Sequence, residues 1–164
     1  MTDIYLFDWG DTLMVDFPGI AGKMCDWETV AAVEGAEAAL RQLSRTSRIY
    51  IATGAANSTE ADIKAAFKRV NLDMYISGYF CKANLGVEKG SADFLPAILK
   101  QLNAQPQQVT VVGDTLHKDI HPAQALGIQS IWLCLQQTDY HLNSDLNNQL
   151  DNVRVITSLR ELSE

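Results

Sequence analysis

The chain is short of cysteine, of basic charge and of long apolar runs, and each shortage closes off a class of protein. Its three cysteines, Cys25, Cys81 and Cys134, are an odd number and match no zinc-ligand spacing. They read as reduced thiols of a cytosolic protein, with Cys134 on a buried strand. Thirteen Lys and Arg stand against twenty Asp and Glu, a formal net charge of −7. Nucleic acid and anionic membrane both need a basic face, so neither is expected as a partner. Small anions stay open, because a metal ion can invert the local field. No apolar run approaches the roughly 18 residues of a membrane helix. The opening Met1-Thr2-Asp3 lacks the basic-then-apolar order of a secretory signal, which sets the expectation of a cytoplasmic protein. Internal repeats and low-complexity tracts are absent too.

What remains is a chain of 164 residues, 47% hydrophobic, enough for one domain over 1–164 with a full core. Strand and helix signals alternate along it. Strands are expected at Ile4–Phe7, Arg48–Ala52, Met74–Ile76, Val109–Val112, Ser130–Leu133 and Val153–Ile156. Helices are expected at Glu34–Leu43, after a cap at Ser58 or Thr59, at Ser91–Leu102 and at Ile120–Leu126, the last stopped by Gly127. Pro96 sits awkwardly in the third of these. Met14–Trp27 and Gln136–Asn152 lack pattern. This alternation predicts an α/β fold, a three-layer α/β/α Rossmann-like domain with a mostly parallel sheet.

Two strands end on acid. Ile4–Phe7 runs into Asp8-Trp9-Gly10-Asp11-Thr12, and Val109–Val112 runs into Gly113-Asp114-Thr115 with Asp119 close behind. Ligands of open α/β sheets bind beyond the carboxyl ends of the strands. Asp8, Thr53 and Asp114 all lie at such ends, which points to a metal-assisted site for a phosphorylated ligand. His117 and His121, four apart, lack the third ligand and the general base of a zinc hydrolase. His141 has no assigned role. Trp9 either lines the pocket or is buried beneath the following loop.

The four motifs (Asp8 to Thr12, Thr53, Lys89, and Gly113-Asp114 with Asp119) fall in order and spacing from the N-terminus to about Leu133. In this the chain resembles the haloacid dehalogenase superfamily, most of whose members are magnesium-dependent phosphatases. The resemblance implies Asp8 as nucleophile, forming an aspartyl-phosphate. It implies Mg²⁺ held by Asp8, the carbonyl of Gly10 and Asp114. Thr53 and the amide of Gly54 would bind phosphate, and Lys89 would neutralise it and hold Asp8, with Lys82 as the alternative. Asp119 would orient metal-bound water or pair with the lysine.

The pattern breaks at one place. Phosphatases of this superfamily usually read D-x-D-G-T, and their second aspartate handles the leaving-group proton. Here Gly10 stands in that position. Asp11, one residue later, either reaches in as the acid/base or caps the turn. Haloacid dehalogenases and phosphonoacetaldehyde hydrolase also lack that aspartate, but both carry a helical cap domain for which this chain has no room. A dehalogenase would also leave Asp114 idle. The chain thus resembles the capless members, with an open site for a phosphorylated substrate that could be bulky or macromolecular. Met14–Trp27 would be the local lid, or a second copy of the chain in a homo-oligomer would close the site. The competing expectation is a feebly active or non-catalytic module that binds a phosphate-bearing partner.

Overall fold

The computed structural model describes residues 2–135 and 152–164. Apolar runs set up its sheet: β1 (Ile4–Phe7), β2 (Arg48–Ala52), β3 (Gly78–Phe80), β4 (Val109–Gly113), β5 (Gln129–Leu133) and β6 (Val153–Ile156). Their spatial order is β3-β2-β1-β4-β5-β6. Every neighbouring pair is parallel. Strands buried on both faces need no alternation, which is why they read as continuous apolar runs.

Helices cover both faces. On one, Phe7, Ile49 and Ile51 pack with Ala36, Ala39 and Leu40 of α1 (Ala36–Leu43) and with Ile63 and Phe67 of α2 (Glu60–Arg69). On the other, Ile4, Leu6 and Val111 pack with Phe94, Leu95 and Ile98 of α4 (Phe94–Leu102) and with Ala123 of α5 (His121–Ala125). Each fully buried aliphatic or aromatic side chain contributes about 1.5–3 kcal/mol. The architecture is therefore the expected α/β/α three-layer fold. No cap domain is present among the described residues.

The elements differ from expectation in instructive places. Met74 lies in a 3-10 turn, Asp73–Tyr75, and is 66% exposed; the third strand comes later, at Gly78–Phe80. Gly78 is needed there, since a Cβ would meet the Tyr50 ring at 2.9 Å. A short helix not read in the sequence, α3 (Lys82–Leu85), follows, and α4 begins at Phe94 rather than Ser91. Pro96 is then the third helical residue, where the missing N–H has no intrahelical partner to lose. Leu116–Ile120 forms a π-helical turn ahead of α5. Thr59 caps α2 through a reciprocal pair with Asp62, and Gly127 adopts φ +73° beyond α5. The polar segment read at 136–152 lies, apart from Asn152, outside the described residues, as does His141.

The chain builds β2 and β3 on one side of β1 and then crosses back to lay β4, β5 and β6 on the other. The carboxyl ends of β1, β2 and β4 thus open together at the switch point of the sheet.

Candidate active site

The tip of β1 turns sharply. Leu13 and Met14 N–H groups donate back to the Trp9 carbonyl at 3.0 and 3.2 Å, and Asp11 N–H donates to the Met14 carbonyl at 2.7 Å. Asp11 takes a left-handed φ of 59°, a conformation that Asp tolerates better than most residues. Trp9 is buried under this turn, its indole N–H on Met14 Sδ at 3.2 Å and its ring beside Phe67. Of the two expectations for Trp9, burial describes most of the side chain, though an edge still borders the cleft. The turn leaves Asp8 pointing beyond the strand end, half-buried, and puts Thr12 wholly inside.

Four segments meet on Asp8. Lys89 Nζ donates to Asp8 Oδ1 at 2.8 Å, to Asp119 Oδ1 at 2.6 Å and to the Ala52 carbonyl at 2.9 Å. An ammonium has three donors, so all are engaged. The Thr12 hydroxyl lies 3.3 Å from both Asp8 Oδ2 and Asp114 Oδ1, bridging the two acidic strand ends. Asp119 Oδ2 accepts the Thr115 N–H at 3.1 Å. The Asp119 side chain crosses Gly113 so closely that a Cβ there would collide with its carboxyl carbon and oxygen. Gly113 therefore exists to admit Asp119. The Asp114 carbonyl is fixed by the Trp132 indole N–H at 3.0 Å.

Charge is unbalanced here. Asp8, Asp114 and Asp119 offer oxygens within 4.8 Å of one another, and Lys89 is the ammonium on two of them, Asp8 and Asp119. Burial, then the hydrogen bond and charge of Asp8, push the Asp114 carboxyl up to about 7. Burial and Asp8 also raise Asp119, against the opposing pull of Lys89. Burial alone would lower Lys89, yet the flanking Asp8 and Asp119 hold it above its ordinary range. Among the described residues this trio is the grouping of side chains able to hold a metal ion, and neither His117 nor His121 belongs to it.

The site opens into a cleft of about 760 Å³ bordered by Thr53, Gly54, Lys89 and the loop after β1. Thr53 is buried at the end of β2, where its Oγ1 accepts the Ala55 N–H at 3.1 Å. Lys82, the alternative to Lys89, pairs instead with Glu88 on the surface. Asp11 accepts the Asp16 N–H at 3.0 Å, so its carboxylate caps the turn at the rim of the cleft. Segment 14–27 is pinned to α2: Lys23 pairs with Asp62 at 2.8 Å, and the Arg69 guanidinium donates to the carbonyls of Trp27 and Glu28.

Two residues of the site carried no role in the sequence. Thr12 belonged to the first motif, but the apolar run that follows gave no sign of its bridging position. Asp16, on the exposed side of the loop, borders the cleft, and partial desolvation there, then the charges of Asp11 and Asp8, raise its carboxyl. No sequence spacing marks it.

Comparison with known proteins adds descent to geometry. Against a glyceraldehyde 3-phosphate phosphatase of Pyrococcus furiosus the chain is 28% identical over 96 residues, 58% of its own length and 39% of the relative's. It thus spans well under half of that relative. An uncharacterized protein from Listeria monocytogenes serotype 4b superposes with a TM-score of 0.81 at 20% identity, covering 98% of this chain and 94% of that one. A HAD phosphatase from Thermococcus onnurineus gives 0.73 at 15% identity, covering 99% and 96%. At such identities the superpositions establish the fold alone. Residues 17–133 match the family described as haloacid dehalogenase-like hydrolase. That match starts beyond Asp8, so it owes nothing to the first acidic strand end, yet it covers most of the chain: the protein belongs to the haloacid dehalogenase-like hydrolase family.

Proposed function

We propose that the chain is a Mg²⁺-dependent phosphohydrolase that cleaves a phosphate ester or anhydride through an aspartyl-phosphate on Asp8. The observation that carries this reading is the immobilised Asp8 carboxylate, with Lys89 on Oδ1 at 2.8 Å and Thr12 near Oδ2, facing the cleft. A carboxylate held in one pose can attack phosphorus without losing orientational freedom at that moment. Thr53 supports phosphate binding: its oxygen already accepts from Ala55, so its hydroxyl proton is left to donate, beside the Gly54 amide.

The donor set fits a hard divalent cation. Clustered carboxylate oxygens suit Mg²⁺, and the raised Asp114 carboxyl marks a cluster short of positive charge. Asp8, the Gly10 carbonyl and Asp114 would hold the ion. Both Asp119 oxygens are engaged, by Lys89 and by Thr115 N–H, so its role is to hold the lysine. When bound, Mg²⁺ offsets the repulsion between the carboxylate and the phosphate. The cleft volume falls within the range of small-ligand sites, and a phosphate ester of metabolite size suits it, in keeping with the P. furiosus relative.

One observation favours a second reading, a module that binds phosphate with little turnover. Lys89 has no donor to spare, and residue 10 offers no side chain for proton transfer. Turnover of acetyl phosphate, p-nitrophenyl phosphate and glycerol phosphate, with Mg²⁺ or EDTA, separates the two. Mg²⁺-dependent turnover that disappears in a folded Asp8→Asn variant is expected. Wild-type rates in that variant would overturn the covalent mechanism, and phosphate binding without turnover of any substrate would favour the module.

A further inference from the structure

Phosphate-ester cleavage makes a demand that Asp8 cannot meet. The departing oxygen needs a proton, and the water that later attacks the aspartyl-phosphate must lose one. A single group that gives and then takes a proton serves both steps, so the cleft should hold one such group with no other engagement.

Elimination among the groups bordering the cleft is short. Lys89 spends its three protons on protein acceptors. Asp114 and Asp119 belong to the carboxylate trio with Asp8. Lys23 pairs with Asp62. Asp11 commits Oδ1 to the Asp16 N–H and so anchors the loop rather than standing free of it. Lys118 is an ammonium, with donors and no acceptor. No histidine borders the cleft among the described residues. What is left is Asp16, whose carboxylate has no hydrogen-bond donor or cation on it among the described residues.

Position agrees with chemistry. A Cβ built on Gly10 would lie 3.4 Å from Asp16 Cβ and 3.5 Å from its Oδ2. The Asp16 carboxylate thus stands where a side chain of residue 10 would run, two residues along the chain from Asp8. Its approach is built in. The turn from Trp9 to Met14 reverses the chain, Val15 N–H donates to the Ala31 carbonyl at 2.8 Å, and Asp11 holds the Asp16 N–H at 3.0 Å. Gly10 lacks a positive φ, so its missing side chain is not a backbone requirement. A Cβ there would make ordinary contact with Asp16, and a longer side chain would enter the space the Asp16 carboxylate holds.

We propose that Asp16 is the proton-transfer group of this site, resting on the reading of Asp8 as nucleophile. In the first step a P–O bond forms to Asp8, the P–O bond to the leaving group breaks, and protonated Asp16 gives its proton to the departing oxygen. In the second, water attacks phosphorus, the bond to Asp8 breaks, and the Asp16 carboxylate takes the water's proton. The group ends as it began, and the net change is ester plus water to alcohol plus phosphate.

The test is turnover of glycerol phosphate and acetyl phosphate by the wild type, Asp16→Asn, Asp16→Ala and the double variant Gly10→Asp/Asp16→Ala, each checked for folding by circular dichroism. Asp16→Asn should lower kcat/KM, which reports the steps up to leaving-group departure, by about 10²-fold or more on glycerol phosphate and by much less on acetyl phosphate, since acyl phosphates leave without a proton; kcat, which includes hydrolysis of the shared aspartyl-phosphate, should fall on both. The double variant should recover most of the glycerol phosphate rate, because a carboxylate on residue 10 enters the same space. Asp16→Asn at the wild-type rate on glycerol phosphate would overturn the proposal while leaving the phosphohydrolase reading intact. An equal loss in kcat/KM on both substrates with no recovery in the double variant would make Asp16 structural, and would overturn it too. A wild type inactive on every phosphate would remove the phosphohydrolase reading, and this inference with it.

Discussion

Replacing Lys89 with methionine keeps the stem and deletes the charge, and the structure sets the cost. Lys89 is 8% exposed, its partner Asp119 2% and Asp8 14%. Removing the ammonium takes three charge-assisted hydrogen bonds, two to carboxylates at about 1.5–3 kcal/mol net each and one to the Ala52 carbonyl. It also strands Asp119 beside Asp8 with no cation. Breaking a buried ion pair from one side costs about 3–5 kcal/mol, and we expect Lys89→Met to fall in that range. In a chain of this size that corresponds to a Tm drop of roughly 6–20 °C. The loss should depend on pH. Without Lys89 the Asp119 carboxyl moves further above its unfolded value, so the folded state binds a proton that the unfolded chain releases. Stability from that proton is present at low pH and lost as pH rises above the ordinary carboxylate range. The deficit of Lys89→Met should therefore be larger at pH 8 than at pH 5, read by chemical denaturation at both. Adding Asp119→Asn should recover part of it by removing the stranded charge. A deficit below about 1 kcal/mol would place the triad with surface ion pairs and refute the reasoning.

Other outcomes follow from the same geometry. Mg²⁺ at about 100 times its dissociation constant should raise stability by about 2.7 kcal/mol, and this increment should shrink as pH falls below the raised Asp114 value of about 7, where a proton must leave first. Thermal melts with and without Mg²⁺ at pH 8 and pH 5.5 check this, and Asp114→Asn should abolish the increment. Gly113→Ala should destabilise by about 1–3 kcal/mol and displace Asp119, lowering phosphate turnover as well as Tm, because the new methyl meets the Asp119 carboxyl. Arg69→Ala should raise amide exchange at Trp27 and Glu28 while leaving the sheet protected, since its guanidinium ties that loop to α2.

Much of the scaffold was written locally. Strands β1 and β4 begin and end within a residue of their apolar runs, because burial on both faces demands continuity over those few positions, while β2 and the edge strand β6 keep their bounds despite the exposed Arg48 and Arg154. The Thr59 cap and the stop at Gly127 rest on hydrogen bonds and backbone freedom inside one turn of chain. Asp8, Thr53 and Asp114 were legible for the same reason: each is the first polar residue beyond an apolar strand, and a parallel sheet brings such ends together. The third strand was misplaced because Gly78 looks unlike a strand residue; only the Tyr50 ring lying across it makes a glycine fit. The engagements of the site were beyond local reading. The resemblance, not local chemistry, put Lys89 ahead of Lys82 and offered Asp119 as its partner; that the two meet across Gly113 depends on how α4 and the π-helical turn settle on the sheet. Asp16 is the extreme case. Its place over Gly10 comes from a turn around the Trp9 carbonyl and from pairing with the distant Ala31–Ala32 segment. Strand ends and caps are decided by neighbours in sequence, whereas the meeting of side chains from separate segments is decided only when the buried layers lock together.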